Sequence, residues 1–290
     1  MHVRHVDRII PLNSVRLAAY TTLTMIAFAA NSLLCRMALK ETSIDPASFT
    51  TVRLLSGAVM LWLLMLWQNQ PPLKHGTWRS ALALFIYAVA LSFAYRTINT
   101  GAGALMLFGA VQITMILAGF IAGERMSALQ TIGFASAMAG LVILVSPGVE
   151  APSVLDSILM LGSGVAWGIY SLFGRGLSNP VAATAGNFLR VVPMALVLSI
   201  FALPWLQLDA RGVLYAMLSG ALTSALGYVL WYRVLQHMRA MTASTIQLSA
   251  PVLAALGGIV LLGEALTRDL MVASLLILGG ILLVLRYGKV

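Results

Sequence analysis

One stretch of this chain occurs twice, and both copies are apolar enough to cross a bilayer. Residues 101–146 read GAGALMLFGAVQITMILAGFIAGERMSALQTIGFASAMAGLVILVS, and residues 241–286 read MTASTIQLSAPVLAALGGIVLLGEALTRDLMVASLLILGGILLVLR. Each copy is an apolar segment, then Gly-Glu, then a second apolar segment. Gly123-Glu124 and Gly263-Glu264 register at a shift of 140 residues, which also carries Gly140 onto Gly280. Upstream, Ser32-Leu33-Leu34-Cys35-Arg36 returns as Ser171-Leu172-Phe173-Gly174-Arg175 at a shift of 139, and Arg53 returns as Arg190 at a shift of 137. Drift of three residues across five segments is the mark of a duplicated half with small loop changes. Coincidence among Leu, Ala and Gly is the alternative in a composition this biased.

The 290 residues are 60% hydrophobic and 9% charged, too little polar surface for a soluble globule of this length. The chain reads as a polytopic membrane protein. Its net charge of +9 would suggest a nucleic-acid partner in a soluble protein, but here Lys and Arg sit at the ends of apolar segments, where they set orientation. No nucleic acid is expected, and the bilayer is the partner. The single cysteine, Cys35, excludes an internal disulfide and any multi-cysteine metal site, and no cofactor or metal is expected.

Apolar runs lie at about 17–38, 46–67, 79–97, 102–122, 128–146, 155–176, 181–203, 211–236, 241–262 and 268–287. Each is long enough to span about 30 Å of hydrocarbon as a helix. The runs are continuous rather than alternating, and every backbone polar group in lipid must be satisfied within its own segment, so helices are predicted. Ala27-Phe28-Ala29 resembles a signal-peptidase site, but the run continues past it and residues 32–36 match 171–175, so this segment is expected to remain as the first helix. Asp45-Pro46, Gln70-Pro71-Pro72, Ser146-Pro147-Gly148 and Asn179-Pro180 supply turns between helices, and Ser127 and Thr267 are candidate helix caps. The predicted fold is all-α, ten transmembrane helices as two five-helix repeats, 1–146 and 147–290, in one integrated domain.

Taking alternate connections as one side, Arg4, Arg8, Arg16, Lys74, Arg79, Arg125, Arg175, Arg233, Arg239, Arg286 and Lys289 fall together, eleven in all. Five basic residues, Arg36, Lys40, Arg96, Arg211 and Arg268, lie opposite with seven of the nine acidic residues. The positive-inside bias puts both termini in the cytoplasm. An odd number of helices per repeat makes the second half enter the membrane in the opposite sense, so the repeats are inverted. Two inverted halves can exchange inward-open and outward-open shapes around one shared site, which is how a carrier works.

Ten helices, a five-helix repeat and a Gly-Glu pair after helices four and nine resemble the drug/metabolite transporter superfamily, and within it the EamA-type carriers. The similarity covers essentially the whole chain. Its most specific parts are Ala250-Pro251-Val252 thirteen residues before Glu264, Gly279-Gly280 in the last helix, and Arg53 and Arg190 in helices two and seven. The first half departs from the pattern, because Val111 stands where the second half has Pro251. The resemblance implies a proline kink in helix nine and export of small metabolites, often amino acids or amphiphilic drugs, across a bacterial inner membrane.

Arg53 and Arg190 lie about seven and nine residues into their runs. A charge at the bilayer centre costs about 2.5–3.5 kcal/mol on insertion scales, so such groups normally face a cavity or a partner. One reading makes them anchors for a substrate carboxylate or gate contacts; the other has each bind backbone carbonyls or snorkel to its interface. Glu124 and Glu264 end helices four and nine on opposite sides, as gate latches or as dipole-compensating groups at the next helix start. The amides Asn31, Gln112, Asn187 and Gln247 fit a wet cavity and interhelical hydrogen bonding equally well.

Phe28 with Asn31 and Trp167 with Tyr170 correspond under the 139-residue shift, placing two pairs on equivalent faces of a central cavity, with Tyr87 a further candidate for an apolar or aromatic substrate. Tyr95, Trp231 and Tyr232 lie near helix ends and are expected in the interfacial aromatic belt, and Tyr228 falls in the same stripe as Trp231. Small residues at four-residue spacing, such as Ala135 with Ala139, permit close helix contact within a monomer or across a homodimer.

The apolar runs hold no Asp or Glu well inside the membrane, no HExxH, no GxSxG and no aspartate pair, which argues against an intramembrane enzyme. A scaffold has no need of two interchangeable access states. The expectation is a carrier exporting neutral, aromatic or apolar amino acids, with a broad drug or amphiphile exporter as the alternative. Because a proton relay usually needs intramembrane acids or histidines, imposing a pH difference across liposomes that hold the purified protein should produce no steady accumulation of substrate.

Overall fold

The computed structural model describes residues 13–71, 75–98, 100–145, 153–262 and 268–287, and the regular structure among them is helical. The first repeat supplies α1 (Ser14–Glu41), α2 (Pro46–Trp67), α3 (Trp78–Tyr95), α4 (Thr100–Ile121) and α5 (Ala128–Val145). The second begins with α6 (Val154–Phe173) and α7 (Pro180–Ala202). Next comes α8, continuous through Ala210–Leu218, a π-helical stretch Ser219–Leu226, and Gly227–Leu235. Two pieces, Ala240–Gln247 and Ser249–Leu262, make up α9, and α10 is Arg268–Tyr287. The expectations placed on Gly263, Glu264 and Thr267, on Arg4, Arg8, Lys74 and Lys289, on Pro72 and on the Ser146-Pro147-Gly148 turn lie outside the described residues.

Polar residues mark where the chain turns back into the membrane. Asn13, Asp45, Thr77, Ser153, Asn179 and Asp209 each cap the helix that follows, their side-chain oxygens accepting from first-turn amides that have no helical partner. Pro46 and Pro180 open α2 and α7, where a missing N–H costs nothing. At α5 the cap is reciprocal: Gln130 N–H donates to Ser127 Oγ at 3.3 Å, and Ser127 N–H donates to Gln130 Oε1 at 2.9 Å.

The helices pack with the twofold logic of the repeat. α2 lies on α7, α4 on α9 and α5 on α10, each pair mapping onto itself when the halves are exchanged. The remaining main contacts map in couples: α3 on α6 with α8 on α1, α4 on α6 with α9 on α1, and α3 on α7 with α8 on α2. With five helices per half, this is an inverted repeat. Helix nine is interrupted at Leu248, whose N–H turns back to Thr245 and Ile246. Pro251 explains the break, since it has no N–H to give the carbonyl of Gln247 four residues earlier. With Val111 at the matching position, α4 runs unbroken from Thr100 to Ile121.

Glycines set the closest crossings. A Cβ on Gly164 of α6 would lie 2.7 Å from Ala110 Cβ and run into the Leu107 carbonyl of α4. Gly280 of α10 meets the Gly133 carbonyl of α5 in the same way, with Ser136 Oγ donating to the Leu276 carbonyl at 3.2 Å beside it. Toward lipid the protein shows Leu, Ile, Val and Phe, among them Leu63, Ile86, Leu117, Ile158 and Leu275. Exposed tryptophans at helix ends, where an interfacial belt would lie, are Trp67 at the end of α2, Trp78 at the start of α3, and Trp205 after α7. This corrects the expectation for Tyr95, Trp231 and Tyr232, all of which are fully buried. Position near a helix end does not reveal that a neighbouring helix covers that end. Replacing Gly164 with Val should overpack the α4–α6 crossing and cost about 1–3 kcal/mol, seen as a lower thermal unfolding midpoint in detergent.

Candidate functional site

The centre of the protein is an aromatic cluster built around one arginine. Phe28 of α1 sets its ring 5.3 Å from Trp167 of α6 and 5.6 Å from Trp231 of α8, both edge-on. Trp167 also packs on Tyr87 of α3 at 4.9 Å and on Tyr228 of α8 at 4.6 Å. Tyr170 stacks between Trp167 at 5.5 Å and Tyr232 at 5.0 Å. Both halves contribute rings, so the cluster lies at the interface of the repeats. Each such ring pair adds about 0.5–1.5 kcal/mol beyond its area burial.

Arg53 of α2 is 1% exposed. Its Nε donates to Ser224 Oγ at 3.1 Å, and one terminal nitrogen, Nη2, donates to Tyr228 Oη at 2.9 Å and to Tyr87 Oη at 3.2 Å. The guanidinium also lies 5.3 Å from the centre of the Tyr87 ring, within cation–π range. The other terminal nitrogen, Nη1, is buried and has no hydrogen-bond partner. No carboxylate of the described residues pairs with this cation: the ion pair among them joins Arg175 to Glu124.

Asn31 of α1 ties the arginine network to α8. Its Nδ2 donates to Tyr87 Oη at 3.1 Å, while its Oδ1 accepts from Ser219 Oγ at 2.7 Å and Thr223 Oγ1 at 3.2 Å. The π-helical stretch makes this possible, because a wider turn brings Ser219, Thr223 and Ser224 to bear on one spot. Gly220 in the same stretch lets α8 press against the Arg53 carbonyl, a contact that any side chain would block. π-turns inside α-helices are frequent at functional sites. A second polar link joins the cluster to α4 and α9: Trp167 Nε1 donates to Gln247 Oε1 at 2.9 Å, and Gln112 Nε2 donates to the Ser244 carbonyl.

Thus Phe28, Asn31, Arg53, Tyr87, Trp167 and Tyr170 form one site, with Gln112 and Gln247 at its α4–α9 edge. Arg190 and Asn187 have a different setting. Arg190 Nη1 donates to the His75 carbonyl at 2.8 Å and the Gly186 carbonyl at 2.9 Å, and Asn187 Oδ1 accepts from Thr77 N–H at 2.9 Å. These two residues fasten the α2–α3 connection to α7. Gly76 there has φ +81°, and a Cβ would strike Asn187.

Ser219, Thr223, Ser224 and Tyr228 complete the site. Sequence reasoning passed over the first three, because a π-turn has no reliable composition; the run Ser-Gly-x-x-Thr-Ser in a lipid-spanning helix was the available signal. Trp231 and Tyr232 belong to the same cluster, with Trp231 Nε1 donating to Ser171 Oγ at 2.9 Å and Tyr232 Oη donating to the Tyr170 carbonyl at 3.0 Å.

The site is closed. The void bounded by Phe28, Asn31, Ser32, Tyr87, Leu107, Phe108 and Trp167 is about 10 Å³, room for about one water. Larger cavities open at either end. One of about 590 Å³ is lined by the α1–α2 connection, Phe93, Arg96, Ala202 and residues 204–207. The other, about 580 Å³, lies beside Glu124, Arg125, Arg239 and Tyr287.

Glu124 seals the second end. Gly123 has φ +82°, and the amides of Gly123 and Glu124 turn back to the carbonyls of Phe120 and Gly119, ending α4 in a Schellman turn. The turn aims Glu124 across the repeat boundary. Its Oε1 accepts from Ala240 N–H at 3.1 Å and from Arg175 Nη2 at 3.4 Å, and its Oε2 accepts from Met241 N–H at 3.2 Å. A carboxylate of the first half therefore caps α9 of the second.

Known proteins share this architecture. A solved structure 18% identical in sequence superposes with a TM-score of 0.74, covering 92% of this chain and 97% of its own. A Pseudomonas aeruginosa protein of uncharacterised function is 51% identical over 272 residues, 93% of this chain and 95% of that protein. A relative from Streptantibioticus cattleyicolor, described as a probable terminal-alkyne amino-acid exporter, is 27% identical over 71% of each chain. Residues 17–146 and 156–286 each match the EamA-like transporter family. With both of its halves matched and ten helices in an inverted repeat, the chain belongs to the EamA-like transporter family, a multi-pass membrane protein of transporter type.

Proposed function

We propose that the protein is an alternating-access carrier of the bacterial cytoplasmic membrane, both termini inside, that exports neutral aromatic or apolar amino acids from one central site. The observation that carries this reading is the aromatic cluster: rings from α1, α3, α6 and α8 meet at the interface of the two repeats around a buried polar core. A carrier needs its site where both halves touch the substrate, so that tilting one against the other exposes it to either side. Flat rings that pack on one another when the site is empty can pack on an aromatic or apolar side chain when it is filled. The relative described as an amino-acid exporter supports the same substrate class.

In this reading Glu124 is the latch of the cytoplasmic gate. Opening that side separates the end of α4 from the start of α9 and breaks the bonds to Ala240, Met241 and Arg175. Uncoupled transport is consistent with the buried polar side chains of the described residues, which include Arg36 and Arg53 but neither carboxylate nor imidazole. Each cycle then runs downhill for the substrate.

Uptake of a labelled panel of Phe, Trp, Met and Thr into liposomes holding the purified protein tests the proposal. Saturable uptake of the aromatic or apolar members is expected; inhibition by unrelated cationic drugs instead, with no amino acid carried, would replace the reading with a broad amphiphile exporter. Arg53→Ala should abolish uptake while the protein still inserts. Glu124→Ala should lower stability by about 1 kcal/mol as two α9 amides lose their cap, with Glu124→Gln losing less, as thermal unfolding in detergent would register.

A further inference from the structure

The free nitrogen of Arg53 says what kind of head group the carrier holds. The guanidinium has five N–H donors, and in the closed site only Nε and Nη2 use theirs, on a serine and two tyrosine hydroxyls. Nη1 is left buried without an acceptor. The groups that Arg53 donates to are the hydroxyls of Ser224, Tyr87 and Tyr228, and none is a carboxylate. A buried cation with spare donors and no counter-charge among the described residues is a group waiting for an acceptor that is itself charged. Tyr87 Oη also accepts from Asn31 Nδ2 and from the Tyr228 hydroxyl, so the tyrosines keep partners when an entering carboxylate takes Nη1 and Nη2 together in the two-pronged geometry that guanidinium favours.

The surroundings restrict the ligand further. Among the described residues Arg53 is the cation that contacts the cluster tyrosines, so a head group carrying one negative charge is neutralised, whereas a phosphate dianion would keep an uncompensated charge among rings. A purely cationic head would add like-charge repulsion to the same spot. The rest of the ligand must be apolar or aromatic, because Phe28, Leu107, Phe108 and Trp167 line the space beside Tyr87 and Asn31, with Tyr228 packed on Trp167 behind it.

We propose that Arg53 is the carboxylate anchor of this site, that substrates are small monocarboxylates with an apolar or aromatic body, and that amines lacking a carboxylate are not carried. The proposal rests on the reading of the aromatic cluster as the transport site. An α-amino group is compatible with it but is not required, since the anchor reads only the acid.

The test compares three probes that share a phenyl body: L-phenylalanine, 3-phenylpropionate and phenethylamine. Ligands that bind the folded protein raise its unfolding midpoint. In detergent-solubilised wild type, phenylalanine and 3-phenylpropionate should each raise the midpoint in a saturable way, and phenethylamine should not. Arg53→Gln should lose the shift for both acids, and Arg53→Lys, which keeps the charge but not the fork, should retain part of it. If Arg53→Gln does not fold, the comparison of acid with amine on wild type still decides. Equal stabilisation by phenethylamine, full acid shifts in folded Arg53→Gln, or no shift with any of the three would each overturn the anchor. The liposome uptake panel is read separately: amino-acid uptake alongside a failed anchor leaves the carrier standing with another mode of recognition.

Discussion

A guanidinium buried at the core of a membrane protein has to be satisfied by neighbouring helices, because lipid offers it nothing. Arg53 meets that demand through Tyr87, Tyr228 and Ser224, residues of α3 and α8, so one side chain ties three helices from both repeats. Much of the surrounding structure follows. α8 must come close enough for Ser224 to reach, which requires Gly220 at the contact and a widened turn around it. Asn31 then gathers Ser219 and Thr223 of that turn and passes the link to Tyr87. Hydrogen bonds to a charged group contribute about 1.5–3 kcal/mol each, so the network helps to offset the cost of carrying the charge into the membrane.

The two halves share a fold but use equivalent positions differently. Arg53 and Arg190 match in the repeat, yet one sits in the aromatic centre and the other holds the α2–α3 connection through the His75 carbonyl. Helix nine is broken beside Pro251 while helix four is continuous through Val111. A carrier with identical halves would present the same site to both sides of the membrane. These differences give the centre a polarity, with the cation and its tyrosines toward α2, α3 and α8 and the amides Gln112 and Gln247 toward α4 and α9.

The rings fill the centre by packing on one another, and the Tyr87 and Tyr228 hydroxyls take up Arg53 Nη2 while Nη1 stays an unmatched donor. Glu124 makes the closure at the α4–α9 end equally specific, because a single carboxylate joins the end of α4, the start of α9 and Arg175. Its geometry explains the Gly-Glu pair: glycine takes the left-handed backbone that ends the helix, and the next residue is thrown across the boundary.

The caps at Asn13, Thr77, Ser153 and Asp209 came only with the structure. The sequence makes the membrane-spanning helices, their number, the cap at Ser127 and the inverted repeat legible, through segment length against bilayer thickness and self-similarity at a shift near 140, and its family resemblance adds the break at Pro251. It also brought Phe28, Asn31, Arg53, Tyr87, Trp167 and Tyr170 forward, since a polar or aromatic residue amid lipid-spanning segments stands out in any register. Which matched residues meet depends on how the helices pack. Arg53 and Arg190 are indistinguishable by depth in the chain, and the burial of Tyr95, Trp231 and Tyr232 depends on which helix covers each end. The π-turn of α8, which recruits Ser219, Thr223 and Ser224, is a compromise between packing and hydrogen bonding that exists only once α1, α2 and α8 are together.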